Sequence, residues 1–347
     1  MSQFDANDLI APKVHMPAEW EPHGGCLMIW PCDALAWGRA LADVRRDYAA
    51  VAQAIRRFEP LTMVVQPDAV ASARDALGGD IDLLPLPYND AWVRDSGPTL
   101  VRRAGGKLAA VAWRFNGWGG AIPDFSLDAQ LGRQLGAHLG TPIINSALAM
   151  EGGAIHVDGD GTLLTTETVV FNDNRNPGIS RACAEAEFAR TLGIERTIWL
   201  PGNPHEHGTN GHIDGIVCFV RPGVVLFETS ASARPHYREV TDRNHAALRN
   251  QVDARGRKLE ILYVQEAPDE GRGQTEGWGY STSYVNFYIA NGGVVMPAFG
   301  LARQDAAARE AVAAAFPDRE IAQVDISCLA AGGGGIHCIT QQIPQAL

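Results

Sequence analysis

No C-x-x-C pair joins any of the six cysteines, no basic and apolar leader opens the chain, and no stretch approaches about 18 consecutive apolar residues. Cys26, Cys32, Cys183, Cys218, Cys328 and Cys338 are scattered, which suits free thiols in a reducing compartment. Export and membrane insertion are unsupported, and a cytoplasmic location is expected. Positive charge is also scarce: 29 Lys and Arg stand against 40 Asp and Glu, a formal net charge of −11 that opposes a phosphate backbone. Nucleic acid is therefore excluded as a partner, while small cations are modestly attracted.

Several nucleotide and hydrolase signatures are missing as well. No Walker A lysine and no G-x-S-x-G elbow occur, and Gly271-Arg272-Gly273 is not completed by a third glycine. Asp158-Gly159-Asp160-Gly161 lacks the sixth-place Gly and twelfth-place Glu of a calcium loop and reads as a hairpin turn. No Pro/Ser-rich linker or run of like charge divides the chain, so residues 1–347 are read as a single domain.

What is present is enough apolar residue, 46% of 347, to bury a large core without disulfides. Short β-branched runs at 61–65, 81–86, 108–113, 213–220, 224–227 and 283–290 predict strands. Segments of helical period at 40–58, 127–139, 180–192, 239–249 and 304–316 alternate with them, so the class is α/β or α+β.

Polar punctuation recurs along this frame. Asp95 lies in Arg94-Asp95-Ser96-Gly97, Glu151 precedes Gly152-Gly153, His212 and Asp214 sit in Gly211-His212-Ile213-Asp214-Gly215, and Cys338 follows the glycines at 332–335. The first two steps are 56 and 61 positions, and His212 to Cys338 is twice 63. Units of roughly 60 to 70 residues, five in all, would fill the chain, with 284–293 in the remaining slot. Radial repetition would then bring one loop from each unit to a common centre.

Each candidate also has an ordinary reading. A lone cysteine is usually an inert small hydrophobe, but Cys338 stands just past a glycine run whose backbone can approach a ligand closely. His212 and Asp214, two apart, would share one face if a strand begins at 213, giving a general acid and base beside a carboxylate; alternatively His212 merely caps that strand. Glu151 follows the apolar residues 147–150, which draws its carboxylate inward toward a partner, with His212 the obvious one. Asp95 is either part of an unusual site loop or of a plain Asp-Ser-Gly-Pro turn, and Arg94 pairs with a neighbouring acid in the simplest case. A metal-dependent hydrolase built on His205, His207, His212 and Asp214 is the rival, although H-E-x-x-H is not matched.

Taken together, these residues resemble the agmatine deiminase family within the guanidine-modifying enzymes. The likeness runs through Met16 to Trp20, Trp30-Pro31, 89–98, 115–120, 151–158, 174–177, 209–214, 283–293 and 336–342. It implies a five-bladed, pseudo-symmetric α/β propeller of repeated ββαβ units, the pentein arrangement. It also implies Cys338 as nucleophile, His212 as general acid/base held by Glu151, Asp95 and Asp214 bracketing a guanidinium, and Trp92 lining the pocket. The implied substrate is a small cationic guanidine, agmatine first, hydrolysed to N-carbamoylputrescine and ammonia without a cofactor or metal; a homo-oligomer, dimer or higher, is left open. One position departs from the family's pattern: four residues before the histidine an acid is usual, and here Gly208 stands there, preceded by His207. Either Glu206 takes over the substrate's distal amine, or the substrate is a different small guanidine.

Overall fold

The structure, a computed structural model, describes residues 14–32, 40–206, 208–231, 235–268 and 279–347. His207 and the residues at 271–273 lie outside the described residues. Within the helix Leu41–Arg56, Val44, Tyr48, Val51, Ala52 and Ile55 recur at steps of three and four and are fully buried. They pack against a sheet whose strand Leu61–Val65 is almost continuously apolar, as expected of a parallel strand lying between neighbours on both edges.

This sheet is one of five, each built on the same plan of an antiparallel pair, a crossover helix and a parallel third strand. The second unit pairs Thr99–Arg103 with Leu108–Ala112, crosses by the helix Asp128–His138 and returns as Ile143–Asn145. The third uses His156–Val157, Thr162–Thr166, the helix Arg181–Leu192 and Arg196–Leu200. The fourth uses Val217–Arg221, Val224–Thr229, the helix Pro235–Leu248 and Glu260–Gln265. The fifth uses Tyr288–Ala290, Gly293–Ala298, the helix Ala302–Ala315 and Glu320–Asp325.

The first unit is assembled from both ends of the chain. His23–Ile29, Leu61–Val65 and Asp82–Pro85 run parallel, and Gln341–Pro344 supplies the antiparallel partner, with Gln341 opposite Leu27. Fifth and first units are also tied by a buried carboxylate: Tyr288 Oη donates to Glu59 Oε1 at 2.6 Å and the Asn291 amide to Oε2 at 2.8 Å. The α/β propeller of five ββαβ units implied by the resemblance is what the chain forms.

Two strand expectations shift. The run at 213–220 starts as a 3₁₀ turn, Ile213–Gly215, and becomes strand only at Val217. Of 283–290 only Tyr288–Ala290 is strand; Tyr284 and Val285 are apolar because they are buried, not because they pair. The turn at Asp158 to Gly161 joins an antiparallel pair as expected, its Asp158 Oδ1 accepting from the Asp160 and Thr162 amides, each at 2.8 Å.

Candidate active site

The segment that leads into the first strand of each unit carries one polar group toward the middle of the ring: Asp95, Glu151, His212 with Asp214, Asn286, and Cys338. The interval suspected in the sequence is thus a property of the fold, and Asn286 occupies its fifth place.

Cys338 Sγ lies 3.3 Å from Asn286 Nδ2 and 3.7 Å from Asp214 Oδ2. Asn286 Oδ1 accepts from the His337 amide at 2.9 Å, which turns its Nδ2 toward the sulfur. The glycine run does position this thiol: a side chain at Gly335 would collide with Asn286, and one at Gly334 with the Trp92 ring. Burial, followed by the charges of Asp214 and Asp95, pushes the Cys338 thiol well above its ordinary pKa.

His212 Nε2 lies 3.1 Å from Glu151 Oε2, while its buried Nδ1 has no hydrogen-bond partner among the described residues and stands 3.8 Å from Asp95 Oδ1. Burial opposes a charge on this ring, but Asp95, the Glu151 hydrogen bond and Asp214 outweigh it and raise its pKa to about 9. Glu151 is completely buried, which alone would raise its pKa; the His212 contact and Arg175, whose Nε donates at 2.7 Å, hold its pKa below the ordinary value instead. Arg175 also donates from Nη2 to the Thr209 carbonyl at 3.1 Å and from Nη1 to Asn210 Oδ1 at 2.5 Å, so one guanidinium fixes both Glu151 and the loop that delivers His212.

His212 and Asp214 do converge, yet not by sharing a strand face. The 3₁₀ turn at Ile213–Gly215 brings them together, and glycine at 153 makes room for them. A Cβ there would come within 2.5 Å of His212 Nδ1, 2.9 Å of Asp95 Oδ1 and 3.0 Å of Asp214 Oδ2. Asp95 is held by the Gly153 amide at 3.0 Å and by Trp118 Nε1 at 2.9 Å. Burial raises the Asp95 pKa, with Asp214 and Glu151 adding to the rise against His212, whereas Asp214 is kept low despite burial by its contact with His337. Trp118 and Asn210 are the two non-glycine residues with positive φ among those described, at 54° and 65°. Both touch this centre, where such strain tends to concentrate.

Trp92 sits one turn before Asp95, its indole covering Gly334 and donating from Nε1 to Asp90 Oδ2 at 3.0 Å. Behind Asp214 lies a second buried cluster. His337 Nδ1 is 2.9 Å from Asp214 Oδ2 and its Nε2 is 2.9 Å from Glu19 Oε1, which also takes a 3.2 Å bond from Arg94 Nη1. Arg94 therefore pairs with an acid, as the simplest reading of it required.

The carboxylate of Glu206 is occupied within its own loop. It accepts from the Gly208, Thr209 and Gly211 amides and from Thr209 Oγ1 at 2.7 Å, and Thr209 Oγ1 in turn receives the His212 amide at 3.3 Å. Of the rival metal ligands, His205 packs edge-on against His236, ring centroids 5.2 Å apart, and His212 turns to Glu151, while His207 lies outside the described residues. Among the described residues no three His, Cys, Asp or Glu side chains are grouped to hold a metal ion.

Asn286, His337, Glu19, Arg175 and Trp118 were not singled out from the sequence. Asn286 had a signal, since it falls in the remaining slot of the interval. The others act through partners far along the chain, which no local pattern reveals.

A family model described as Porphyromonas-type peptidyl-arginine deiminase matches residues 15–344. The chain belongs to that family. A Streptomyces coelicolor protein provisionally named agmatine deiminase is 44% identical over 337 residues, covering 95% of this chain and 98% of that protein. A Medicago truncatula protein named agmatine deiminase is 37% identical over 360 residues, with 95% and 96% covered. The solved structure of the Enterococcus faecalis agmatine deiminase superposes with a TM-score of 0.91 at 31% identity, covering 96% of this chain and 97% of that one. Like its family, the chain is a hydrolase of carbon–nitrogen bonds, and no helix among the described residues is long and apolar enough to cross a membrane.

Proposed function

We propose that this hydrolase deiminates agmatine to N-carbamoylputrescine and ammonia, its five units acting as one catalytic domain. The observation that carries the reading is the gathering of His212 Nδ1 and the Asp95 and Asp214 carboxylates around Gly153, with Cys338 Sγ 3.7 Å from Asp214 Oδ2. A guanidinium is planar, positive and forked, so two carboxylates accept from its edges and leave its central carbon to the sulfur.

The electrostatics set the order of events. Burial first, and the Asp214 and Asp95 carboxylates after it, keep Cys338 as a thiol; a cation seated between the two carboxylates offsets their share of that opposition, which favours the thiolate as substrate binds, the thiol proton passing to solvent. Cys338 Sγ adds to the guanidinium carbon, and the His212 Nδ1 proton goes to the departing nitrogen as ammonia leaves. The product of this step is an amidino-thioether on Cys338. The now neutral His212 takes one proton from water, whose oxygen bonds to the same carbon; the C–S bond then breaks, the sulfur leaves with the electron pair and takes up the proton that remains on that oxygen, and the neutral ureido product departs. Glu151 supports the imidazolium before its proton is given up and again once it is regained, and Trp92 lines the pocket. Free thiols throughout the chain suit a reducing, cytoplasmic setting, and the product suits putrescine and polyamine synthesis.

A second reading keeps the chemistry and changes the guanidine. With Gly208 in the loop and every oxygen of Glu206 already accepting, a substrate without a second cation fits equally well. Ammonia release from agmatine, arginine, guanidinobutyrate and related compounds, ranked by kcat/KM with and without iodoacetamide, tests both. Agmatine should lead and iodoacetamide should abolish release; another guanidine leading selects the second reading, and release that survives alkylation but not a chelator overturns the cysteine chemistry.

A further inference from the structure

The charged cluster behind Asp214 has no part in the steps above, and its geometry fixes a charge. Both ring nitrogens of His337 lie 2.9 Å from a carboxylate oxygen, Nδ1 from Asp214 Oδ2 and Nε2 from Glu19 Oε1. An ionised carboxylate only accepts, and a neutral imidazole has one nitrogen that only accepts. A neutral His337 would press a lone pair against one of these oxygens, whereas an imidazolium donates to both. The ring is buried, with 2% of its surface exposed, so water does not relieve the conflict.

We propose that His337 is a positioning residue of the reaction: a standing imidazolium that aims the Asp214 carboxylate and offsets its charge beside the Cys338 sulfur. The two effects have one cause. Asp214 Oδ2 is the oxygen that His337 holds and also the one 3.7 Å from Sγ. The Cys338 thiol thus feels a carboxylate already paired with a cation, which lowers the cost of forming a thiolate. Glu19 anchors the far side of the ring, and Arg94 anchors Glu19 while its Nε donates to the His337 carbonyl at 3.2 Å, fixing the backbone next to Cys338.

The surrounding charges agree with this state. Burial and Arg94 oppose a cation at His337, but Glu19 and Asp214 outweigh them and its pKa is raised. Glu19 is held well below the usual carboxylate range despite burial, chiefly by His337 and Arg94. The remaining ring in the cluster, His156, stacks on His337 at 6.3 Å and does not compete, because burial drives its pKa down to about 4.

The inference rests on the cysteine reading but not on any choice of substrate, and its test contains no guanidine. In protein labelled with 15N-histidine, both His337 nitrogens should carry protons across neutral pH, the resonance being assigned by its loss in a variant. The rate of Cys338 alkylation by iodoacetamide, followed by peptide mass so that Cys183 does not interfere, should fall about tenfold at fixed mildly alkaline pH in H337Q and recover in H337K, which restores a cation. A neutral His337 tautomer in the wild type overturns the proposal whether or not the variants fold. Unchanged alkylation in folded H337Q overturns it as well, since a purely structural role predicts lost stability without lost thiol reactivity.

Discussion

Two histidines flank the Asp214 carboxylate, both buried, both raised in pKa by carboxylates, and they differ in one respect. His337 has a carboxylate on each nitrogen, whereas His212 has Glu151 on Nε2 and, among the described residues, no hydrogen-bond partner on Nδ1, which stands 3.8 Å from Asp95 Oδ1. A ring bonded on both sides holds its protons; a ring with one buried, unpartnered nitrogen has a proton to give and a place to take one back. The same pairing of charge with burial therefore yields a proton carrier in one place and a fixed cation in the other.

The largest effect bears on the sulfur that both histidines serve. Cys338→Ala should lower turnover by about a thousandfold or more while leaving the thermal midpoint nearly unchanged, as removal of a covalent residue does. Next comes the contrast itself. H212Q should lose between about a hundredfold and ten thousandfold in kcat, the range for general acid–base groups, and H337Q clearly less. Equal losses in steady-state kcat would break the distinction between them.

Glu151→Gln sharpens the comparison on the His212 side. It removes a buried anion that supports the imidazolium and leaves Arg175 without a carboxylate, so activity should begin to fall at a lower alkaline pH than in the wild type, where the His212 pKa is raised to about 9. Stability should drop by about 3 kcal/mol, typical of breaking one side of a buried pair, read from urea unfolding. An unchanged alkaline limb would remove Glu151 from its role.

The last effect is on stability against pH. His212 has a folded pKa of about 9 against an ordinary value of 6.5. Its contribution to stability is complete below the unfolded value and is lost as pH rises through the folded one, so the urea midpoint should decline between those limits. The decline should be shallower in H212Q. A midpoint flat over that window in the wild type would contradict the raised pKa.

Much of this arrangement was legible in the amino-acid order, and the boundary is physical. The recurring glycine-flanked polar residues marked four of the five inward loops, because these loops pack closely on one another, and the glycines at 153 and 335 leave room for side chains that other units bring in. The strand expected from residue 213 was misplaced by such a loop: Ile213 is buried within a 3₁₀ turn, and an apolar residue there cannot be told from the start of a strand. Glu206 also looked available to a ligand until its bonds to Thr209 and Gly211 were visible. The positioning shell was hidden for a different reason. Glu19 and His337 are 318 positions apart, and a contact across the closure of the ring leaves no trace in spacing.

The most direct test of the central claim is a rapid acid quench of wild-type protein turning over agmatine, followed by mass analysis of the peptide that contains Cys338. The account predicts a transient adduct on that sulfur equal in mass to agmatine less ammonia, absent from Cys338→Ala. Ammonia formation at full rate with no adduct on Cys338, or with one on another residue, would contradict it.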